Sequence, residues 1–121
     1  MLVFMDKIYY IYIIRSEKNT LYTGITTDIF RRVEEHFYQR KKAARYTKSF
    51  KIENIEMVLI ANNRAIASKA EYYLKSFSKD KKEKFLRNPL LIVEDLYNVK
   101  QINVLIYHHL DQINEFLKKL K

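Results

Sequence analysis

The sequence predicts a small α+β domain whose elements follow the order β-β-α-β-α-α, with an extra helical segment at the C-terminus. Two observations indicate this order. Short runs rich in Ile, Val and Tyr are bounded by polar residues, and longer segments follow in which apolar residues recur at helical spacing. The length of 121 residues is typical of one compact domain.

A β-hairpin and a helix are predicted for the first third of the chain. Residues 8–14 form an apolar run too short to favour a helix, residues 15–20 are polar and supply a turn, and residues 21–25 form the partner strand. The following Thr-Thr-Asp can cap a helix, and Ile29, Val33 and Phe37 recur every four residues. We therefore expect a helix over residues 28–38.

A third strand and two helices are predicted next. Residues 55–60 are strand-like, "ANN" offers a helix cap, and Ile66, Ala70 and Phe77 then lie on one helical face. A shorter helix fills residues 79–86, until Asn88 and Pro89 interrupt it.

The C-terminal segment shows a sustained apolar period. Nine apolar residues recur there every three or four positions, with a mean spacing of 3.5 residues over the 28 positions from the first to the last. They are Ile92, Leu96, Val99, Ile102, Ile106, Leu110, Ile113, Leu117 and Leu120. This period predicts one long helix, or two in register, whose narrow seam forms a coiled coil or packs on the domain.

The net charge favours a polyanionic partner. Lys and Arg number 23 against 14 Asp and Glu, a formal charge of +9, and the charges beyond residue 91 cancel. The excess therefore belongs to the first 91 residues, where residues 40–51 carry six cations and no acid. Charge alone does not choose between nucleic acid and an acidic membrane surface.

The absence of cysteine and of long apolar runs excludes several classes of protein. Without cysteine there are no disulfides, no thiolate catalysis and no cysteine-ligated zinc, so any metal is held by oxygen or imidazole. No run approaches the roughly 18 apolar residues that span a bilayer. We therefore expect a cytoplasmic protein without membrane contact.

Five side chains form a candidate phosphodiester site. Tyr12 and Tyr22 lie on the two hairpin strands and can share a face, Arg32 and His36 are one helical turn apart, and Glu71 borders an apolar stripe. Structural readings remain open: the tyrosines can be packing residues, Arg32 can pair with an acid one turn back, and His36 can be a surface packing residue.

The order of its short motifs makes the sequence resemble the GIY-YIG nuclease family, and it is most similar to the small stand-alone bacterial members. Tyr10-Ile11-Tyr12 stands in place of "GIY" and Tyr22-Thr23-Gly24 in place of "YIG". The helix "TTDIFRRVEEH", the segment "AARYTKS" and a later helix carrying Glu71 follow in the family's order. Tyr10 replaces the first motif glycine, and Ile25 stands where some members have lysine.

The resemblance implies a three-stranded antiparallel sheet flanked by helices. It places a nuclease-like domain at residues 1–88, which leaves residues 89–121 as a helical extension for packing or dimerisation. It also implies metal-dependent hydrolysis of DNA, directed by DNA structure rather than sequence. The catalytic residues would be Tyr12, Tyr22, Arg32, His36 and Glu71.

Each of these residues can be given a role as a hypothesis. Glu71 would bind Mg²⁺ or Mn²⁺, Arg32 would bind the phosphate, and Tyr12 would orient or deprotonate water. Tyr22 and His36 would position phosphate or relay protons. Binding of DNA is predicted for Arg31, Arg40, Lys41, Lys42, Arg45, Tyr46 and Lys48.

Two other functions and three other residues complete the expectations. The protein could bind DNA without cleaving it, or serve in assembly through a homodimer or a partner helix at the C-terminal segment. Gly24, the only glycine, is expected to serve a turn or a backbone conformation that other residues resist. His108 and His109 are adjacent and diverge on a helix, so a shared metal site is not expected.

Overall fold

A computed structural model describes residues 7–38 and 51–121, which form a four-stranded antiparallel sheet with helices on both faces. The strands are β1 (Tyr9–Ser16), β2 (Leu21–Thr26), β3 (Ile52–Ala61) and β4 (Leu105–Ile106), in the spatial order β2-β1-β3-β4. The helices are α1 (Ile29–Phe37), α2 (Arg64–Lys75), α3 (Lys79–Leu86), α4 (Pro89–Lys100) and α5 (Leu110–Leu120). Most of the basic stretch 40–51 lies outside the described residues.

The predicted hairpin and the helices on either side of β3 are confirmed. β1 and β2 pair antiparallel with Tyr12 opposite Gly24, and Asn19 takes a left-handed conformation in the turn, with φ of 63°. Asp28 and Asn63 cap α1 and α2, because their side chains accept hydrogen bonds from Arg31 N and Ile66 N. Within the described part of the chain, β2 is an edge strand of the sheet.

The alternation of side chains along β1 divides the core into two layers. Ile11 and Ile13 point to one face, where they share a cluster with Ala67 and Leu74 of α2. Tyr12 and Ile14 point to the other face, in a second cluster built with α1 and α5. Residues on α1 and α2 can therefore meet only around an edge of the sheet.

The predicted three-stranded sheet is wrong, because β4 adds a fourth strand beside β3. Ile106 pairs with Leu59 and Leu105 with Ile60, and Tyr107 N donates to Val58 O at 2.9 Å. A strand of two residues is too short to show an alternating pattern. Its formation depends on the free edge of β3, which lies more than forty residues away in the chain.

Of the two expected alternatives for the C-terminal segment, one long helix or two helices in register, the structure shows two helices, α4 and α5, with β4 between them. Gln101 takes a left-handed conformation with φ of 55°, and the amides of Gln101 and Ile102 donate to the carbonyls of Tyr97 and Leu96. The bond from Gln101 N to Tyr97 O is the 5→1 bond of the αL motif, which ends a helix at a left-handed residue. Glycine is usual at this position, so glutamine provided no signal in the sequence.

The C-terminal segment packs into both layers of the core. Ile92 and Leu96 of α4 are buried in the first cluster, and Ile113 and Leu117 of α5 are buried in the second. Asn114 also bonds to the sheet, since its side chain accepts from Ile55 N at 2.9 Å and donates to Ile55 O at 3.0 Å. These bonds satisfy the strand backbone where the β1–β3 register shifts.

Leu117→Ala should lower the free energy of unfolding by about 3 kcal/mol, because Leu117 is 2% exposed and its loss leaves a cavity between α5 and the sheet. Leu90→Ala is the matched control, since Leu90 is 60% exposed. It should change stability by about 0.5 kcal/mol or less. Urea unfolding of both variants measures the difference, and equal effects would contradict the packing of α5.

Candidate active site

Tyr12 lies at the centre of a cluster of polar and aromatic side chains between β1, β2 and α1. It is 1% exposed, and its ring lies over Gly24, its partner across the strand pair. Tyr22 follows on the same face of β2, with its ring centroid 6.3 Å from that of Tyr12. The His36 ring stands edge-on to both tyrosines, at 5.7 and 5.5 Å. The two predicted tyrosines and the histidine therefore share one face.

A chain of hydrogen bonds links three of the predicted residues. The Tyr12 hydroxyl lies 2.9 Å from His36 Nε2, and Arg32 Nε donates to the Tyr12 oxygen at 3.2 Å. Arg32 and His36 lie one turn apart on α1, so the helix presents both to the same strand residue. The sequence spacing predicted this pair correctly.

Burial keeps the tyrosine and the histidine neutral. Burial raises the pKa of Tyr12 above its usual value, although the Arg32 charge works in the opposite direction. Burial also lowers the pKa of His36 to about 3, and the Arg32 charge lowers it further. Guanidinium only donates, so the Tyr12 oxygen accepts from Arg32. With the ring hydrogen of neutral His36 assigned to Nδ1, the Tyr12 hydroxyl donates to Nε2. The bonds thus run from Arg32 through Tyr12 to His36.

Glu35 is a site residue that the sequence reading missed. It is 8% exposed, and its Oε1 lies 3.3 Å from an Arg32 terminal nitrogen. A buried carboxylate is costly unless it is paired, and this one contacts a different nitrogen of the guanidinium from the one that Tyr12 contacts. The spacing of three residues between Arg32 and Glu35 was the available signal.

Glu71 stands apart from this chain of hydrogen bonds. It lies on α2, which packs on the other face of the sheet, and its carboxylate pairs with Lys75 at 3.4 Å. Its charge is nevertheless near enough to contribute to the raised pKa of Tyr12, after the larger effect of burial. The structure therefore brings Tyr12, Tyr22, Arg32 and His36 together and places Glu71 across the sheet edge.

The donors available for a metal fit a hydrated hard cation rather than a closed site. No group of three or more His, Asp or Glu side chains converges within residues 7–38 and 51–121. Glu71 is a single oxygen donor whose side chain is 22% exposed. Mg²⁺ often binds through one or two carboxylates and keeps several waters, so this donor set suits it when a substrate phosphate completes the shell.

A cleft of about 320 Å³ lies at the β2 edge, where α1 and α2 begin. Arg32 and Glu35 line it, which joins it to the hydrogen-bonded chain around Tyr12. Arg31 also lines the cleft, while the other residues predicted to bind DNA lie outside the described ranges. The lining is completed by Tyr9, Ile25, Thr26, Thr27 and Arg64.

The expected reason for Gly24 is wrong. Gly24 does not take a positive φ, and it sits inside β2 rather than in a turn. A Cβ atom at this position would lie 2.4 Å from the Tyr12 hydroxyl oxygen and 2.6 Å from the ring carbon that bears it. Glycine is required here because the Tyr12 ring occupies the space of a side chain.

The positions that depart from the family motifs are accommodated without distorting the site. Tyr10 packs edge-on against Tyr107 at 5.9 Å, and Ile25 lines the cleft.

His108 and His109 are both exposed, and they lie just before α5. No helix in the described parts of the chain is long and apolar enough to cross a membrane.

The family-model match and the sequence relatives identify one family. The family described as the GIY-YIG catalytic domain matches residues 8–88. A UPF0213 protein of Fusobacterium nucleatum is 38% identical over 96 residues, which are 79% of this chain and 94% of the relative. The UPF0213 protein YhbQ of Escherichia coli is 33% identical over 92 residues, 76% and 90% of the two chains. The solution structure of a UPF0213 protein from Bacillus halodurans is 28% identical and covers 74% of this chain and 96% of its own, with a TM-score of 0.42.

Stability should fall as pH is lowered from 6.5 to 5, because of His36. Its pKa is about 3 in the folded protein against 6.5 in the unfolded chain, so the unfolded chain takes up the proton first. The loss approaches about 1.4 kcal/mol per pH unit below 6.5. The Glu83 pKa is lowered from 4.5 to about 2, so that carboxylate loses its contribution to stability only at lower pH.

Urea unfolding at pH 6.5, 6 and 5 measures the slope of the unfolding free energy against pH. His36→Gln should flatten it and His108→Gln should retain it; an unchanged slope in His36→Gln would refute the assignment.

Gly24→Ala should cost about 1–3 kcal/mol, because the new methyl group overlaps the buried Tyr12 ring. The cost should largely disappear in a Tyr12→Leu background, where no ring fills that space. Unfolding free energies of the wild type, both single variants and the double variant form the required cycle. Equal costs in the two backgrounds would show that Gly24 is needed for another reason.

Proposed function

The chain belongs to the GIY-YIG catalytic domain family, and from that premise we propose that it is a nuclease that cleaves DNA by metal-dependent hydrolysis of phosphodiester bonds. The family fold is a nuclease fold, its substrate is DNA, and its members generally depend on a divalent metal. Small bacterial UPF0213 proteins are the relatives. The observation that carries the proposal is the hydrogen-bonded chain from Arg32 through Tyr12 to His36.

Arg32 is the residue we assign to the scissile phosphate. Its guanidinium is held from two sides, by Tyr12 and by Glu35, and it also lines the cleft. A planar group fixed in this way presents its remaining donors in one orientation, which suits the oxygens of a phosphate as negative charge builds on them. Fixing the donor before reaction avoids a reorganisation cost in the transition state.

Tyr12 and His36 are assigned to proton transfer. Burial keeps Tyr12 protonated, so a permanent phenolate is not the base. Instead the Tyr12 oxygen accepts a proton from the attacking water while its own hydroxyl proton passes to neutral His36 Nε2. Because burial disfavours the charged imidazole, His36 holds this proton only transiently and returns it through Tyr12 to solvent. The water oxygen then forms its bond to phosphorus, the bond to the departing nucleoside oxygen breaks, and that oxygen is protonated by solvent. Tyr22, partly buried beside both rings, positions the phosphate and the water.

Glu71 is assigned to the metal. Its oxygens would hold one hydrated Mg²⁺ or Mn²⁺ once they leave Lys75. When bound, such an ion supplies positive charge to a phosphate oxygen and to the leaving oxygen. The position of Glu71 across the sheet edge from Arg32 supports this division, since the two residues then approach the phosphate from different sides.

DNA is held, in this proposal, by the basic residues of the first half of the chain. Arg31 lies beside the site, and Arg40, Lys41, Lys42, Arg45, Tyr46 and Lys48 belong to the stretch outside the described residues. Contacts of this kind neutralise phosphates without reading bases. The enzyme would therefore select DNA by its structure rather than its sequence.

Arg32→Lys should reduce cleavage at least about 100-fold while melting remains near that of the wild type, because lysine keeps the charge but loses the planar paired donors. Glu71→Gln should abolish most of the metal-stimulated cleavage. Labelled single-stranded, duplex, nicked and flapped DNAs are incubated with Mg²⁺, Mn²⁺ or chelator, and initial rates are compared.

Glu94→Gln is the matched control for Glu71→Gln, since Glu94 is an exposed carboxylate on α4 and its loss changes the net charge equally. It should leave the rate unchanged. Salt-sensitive binding of DNA without cleavage by the wild type would replace the nuclease with a binding module. Full activity of Arg32→Lys would refute the role of the guanidinium plane.

A further inference from the structure

Arg64 brings a third arginine to the cleft at the β2 edge, and its role is not explained by the chemistry above. Arg31 and Arg32 enter the cleft from the first turns of α1, and Arg64 enters from the first residue of α2. Neither helix has an acidic residue in its first turn. One carboxylate, Glu35, lines the same cleft. Three guanidinium groups against one carboxylate leave the cleft with a positive excess.

The local structure offers no reason for Arg64 to be a cation. A positive side chain in the first turn of a helix opposes the helix dipole, which costs a few tenths of a kcal/mol. The cap of α2 is made by Asn63, whose side chain accepts from Ile66 N, so Arg64 is not needed there. Both Arg31 and Arg64 are exposed, and Glu35 already pairs with Arg32.

We propose that Arg31 and Arg64 bind a phosphodiester group of the DNA strand that neighbours the scissile phosphate held by Arg32. This inference rests on the proposed nuclease function and adds a second phosphate position to it. Two exposed arginines on different helices can grip one phosphate from both sides, each with paired donors. Tyr9, Ile25 and Thr27 line the remaining wall, where the sugar of the same nucleotide would lie.

The position of the cleft sets where the bound phosphate lies relative to the cut. Arg64 and Glu71 are seven residues apart on α2, so they share a face of the helix and are separated by about 10 Å along its axis. Successive phosphates of one strand are at least the B-DNA rise of about 3.4 Å apart, so about 10 Å spans at most about three linkages. The phosphate in the cleft should therefore be within three linkages of the scissile bond.

Arg64→Gln should weaken DNA binding about 10-fold with little change in kcat, since it removes a ground-state contact to a phosphate away from the reacting atoms. Arg87→Gln is the matched control, because Arg87 is an exposed arginine at the C-terminal cap of α3 and its loss changes the net charge equally. Anisotropy titrations in chelator give Kd at several salt concentrations. The slope of the logarithm of the binding constant against the logarithm of the salt concentration should become shallower by about 0.9 for Arg64→Gln and remain unchanged for Arg87→Gln.

A set of oligonucleotides, each with one phosphate replaced by neutral methylphosphonate, locates the contact. Within three linkages of the cut, one replacement should weaken binding to the wild type by at least about 10-fold and have a smaller effect on Arg64→Gln, in which Arg31 alone contacts that phosphate. Loss of affinity at every linkage in both proteins, or equal effects of Arg64→Gln and Arg87→Gln, would overturn the proposal. Binding of millimolar inorganic phosphate that depends on Arg64 but leaves the affinity for DNA unchanged would also overturn it, as the cleft would then be a site for free anions.

The outcomes separate this inference from the proposed function. If the wild type cleaves DNA and Arg64→Gln changes neither kcat nor KM, the proposal of a second phosphate position is refuted and the proposed nuclease function stands. If the wild type binds DNA without cleaving it and the methylphosphonate effect depends on Arg64, the proposed nuclease function is refuted and the proposed phosphate position stands. Failure of the wild type to bind any DNA removes both.

Discussion

The fixed position of the Tyr12 ring is the constraint on which the rest of this site depends. The ring lies over Gly24 on β2, and its hydroxyl joins Arg32 and His36 on α1, so one side chain ties both hairpin strands to the helix. Any residue larger than glycine at position 24 would displace it. The glycine, the tyrosine, the arginine and the histidine therefore form one interdependent unit rather than four separate motif positions.

Electrostatics explain why this unit can be buried. Transfer of charge out of water is expensive, and the protein avoids most of the cost by keeping Tyr12 and His36 neutral. The partly buried cation of this unit, Arg32, is offset by the Glu35 carboxylate. The same arrangement leaves a neutral imidazole with an acceptor nitrogen beside the tyrosine hydroxyl, which is the requirement for the proton transfer proposed above.

The C-terminal segment shapes the site indirectly, through the sheet. α4 contributes Ile92 and Leu96 to the layer that supports α2, and α5 contributes Ile113 and Leu117 to the layer that supports α1. The two helices that carry Arg32 and Glu71 are thus each backed by part of residues 89–121. Their separation across the edge strand β2 opens the cleft between them, where a phosphate can be approached from both sides.

The sequence by itself determined the elements whose signals are local. The hairpin, α1 to α3, the caps at Asp28 and Asn63, and the shared helical face of Arg32 and His36 all follow from period, turn residues and motif order, because each depends on neighbours within a few residues. Tertiary structure alone decided the pairing of β4, the left-handed Gln101, the reason for Gly24, the burial of Glu35 and the presence of Arg64 in the cleft that Arg32 lines. Each of these depends on groups brought together from different elements or on a conformation without a characteristic residue, and a one-dimensional pattern does not record such distances.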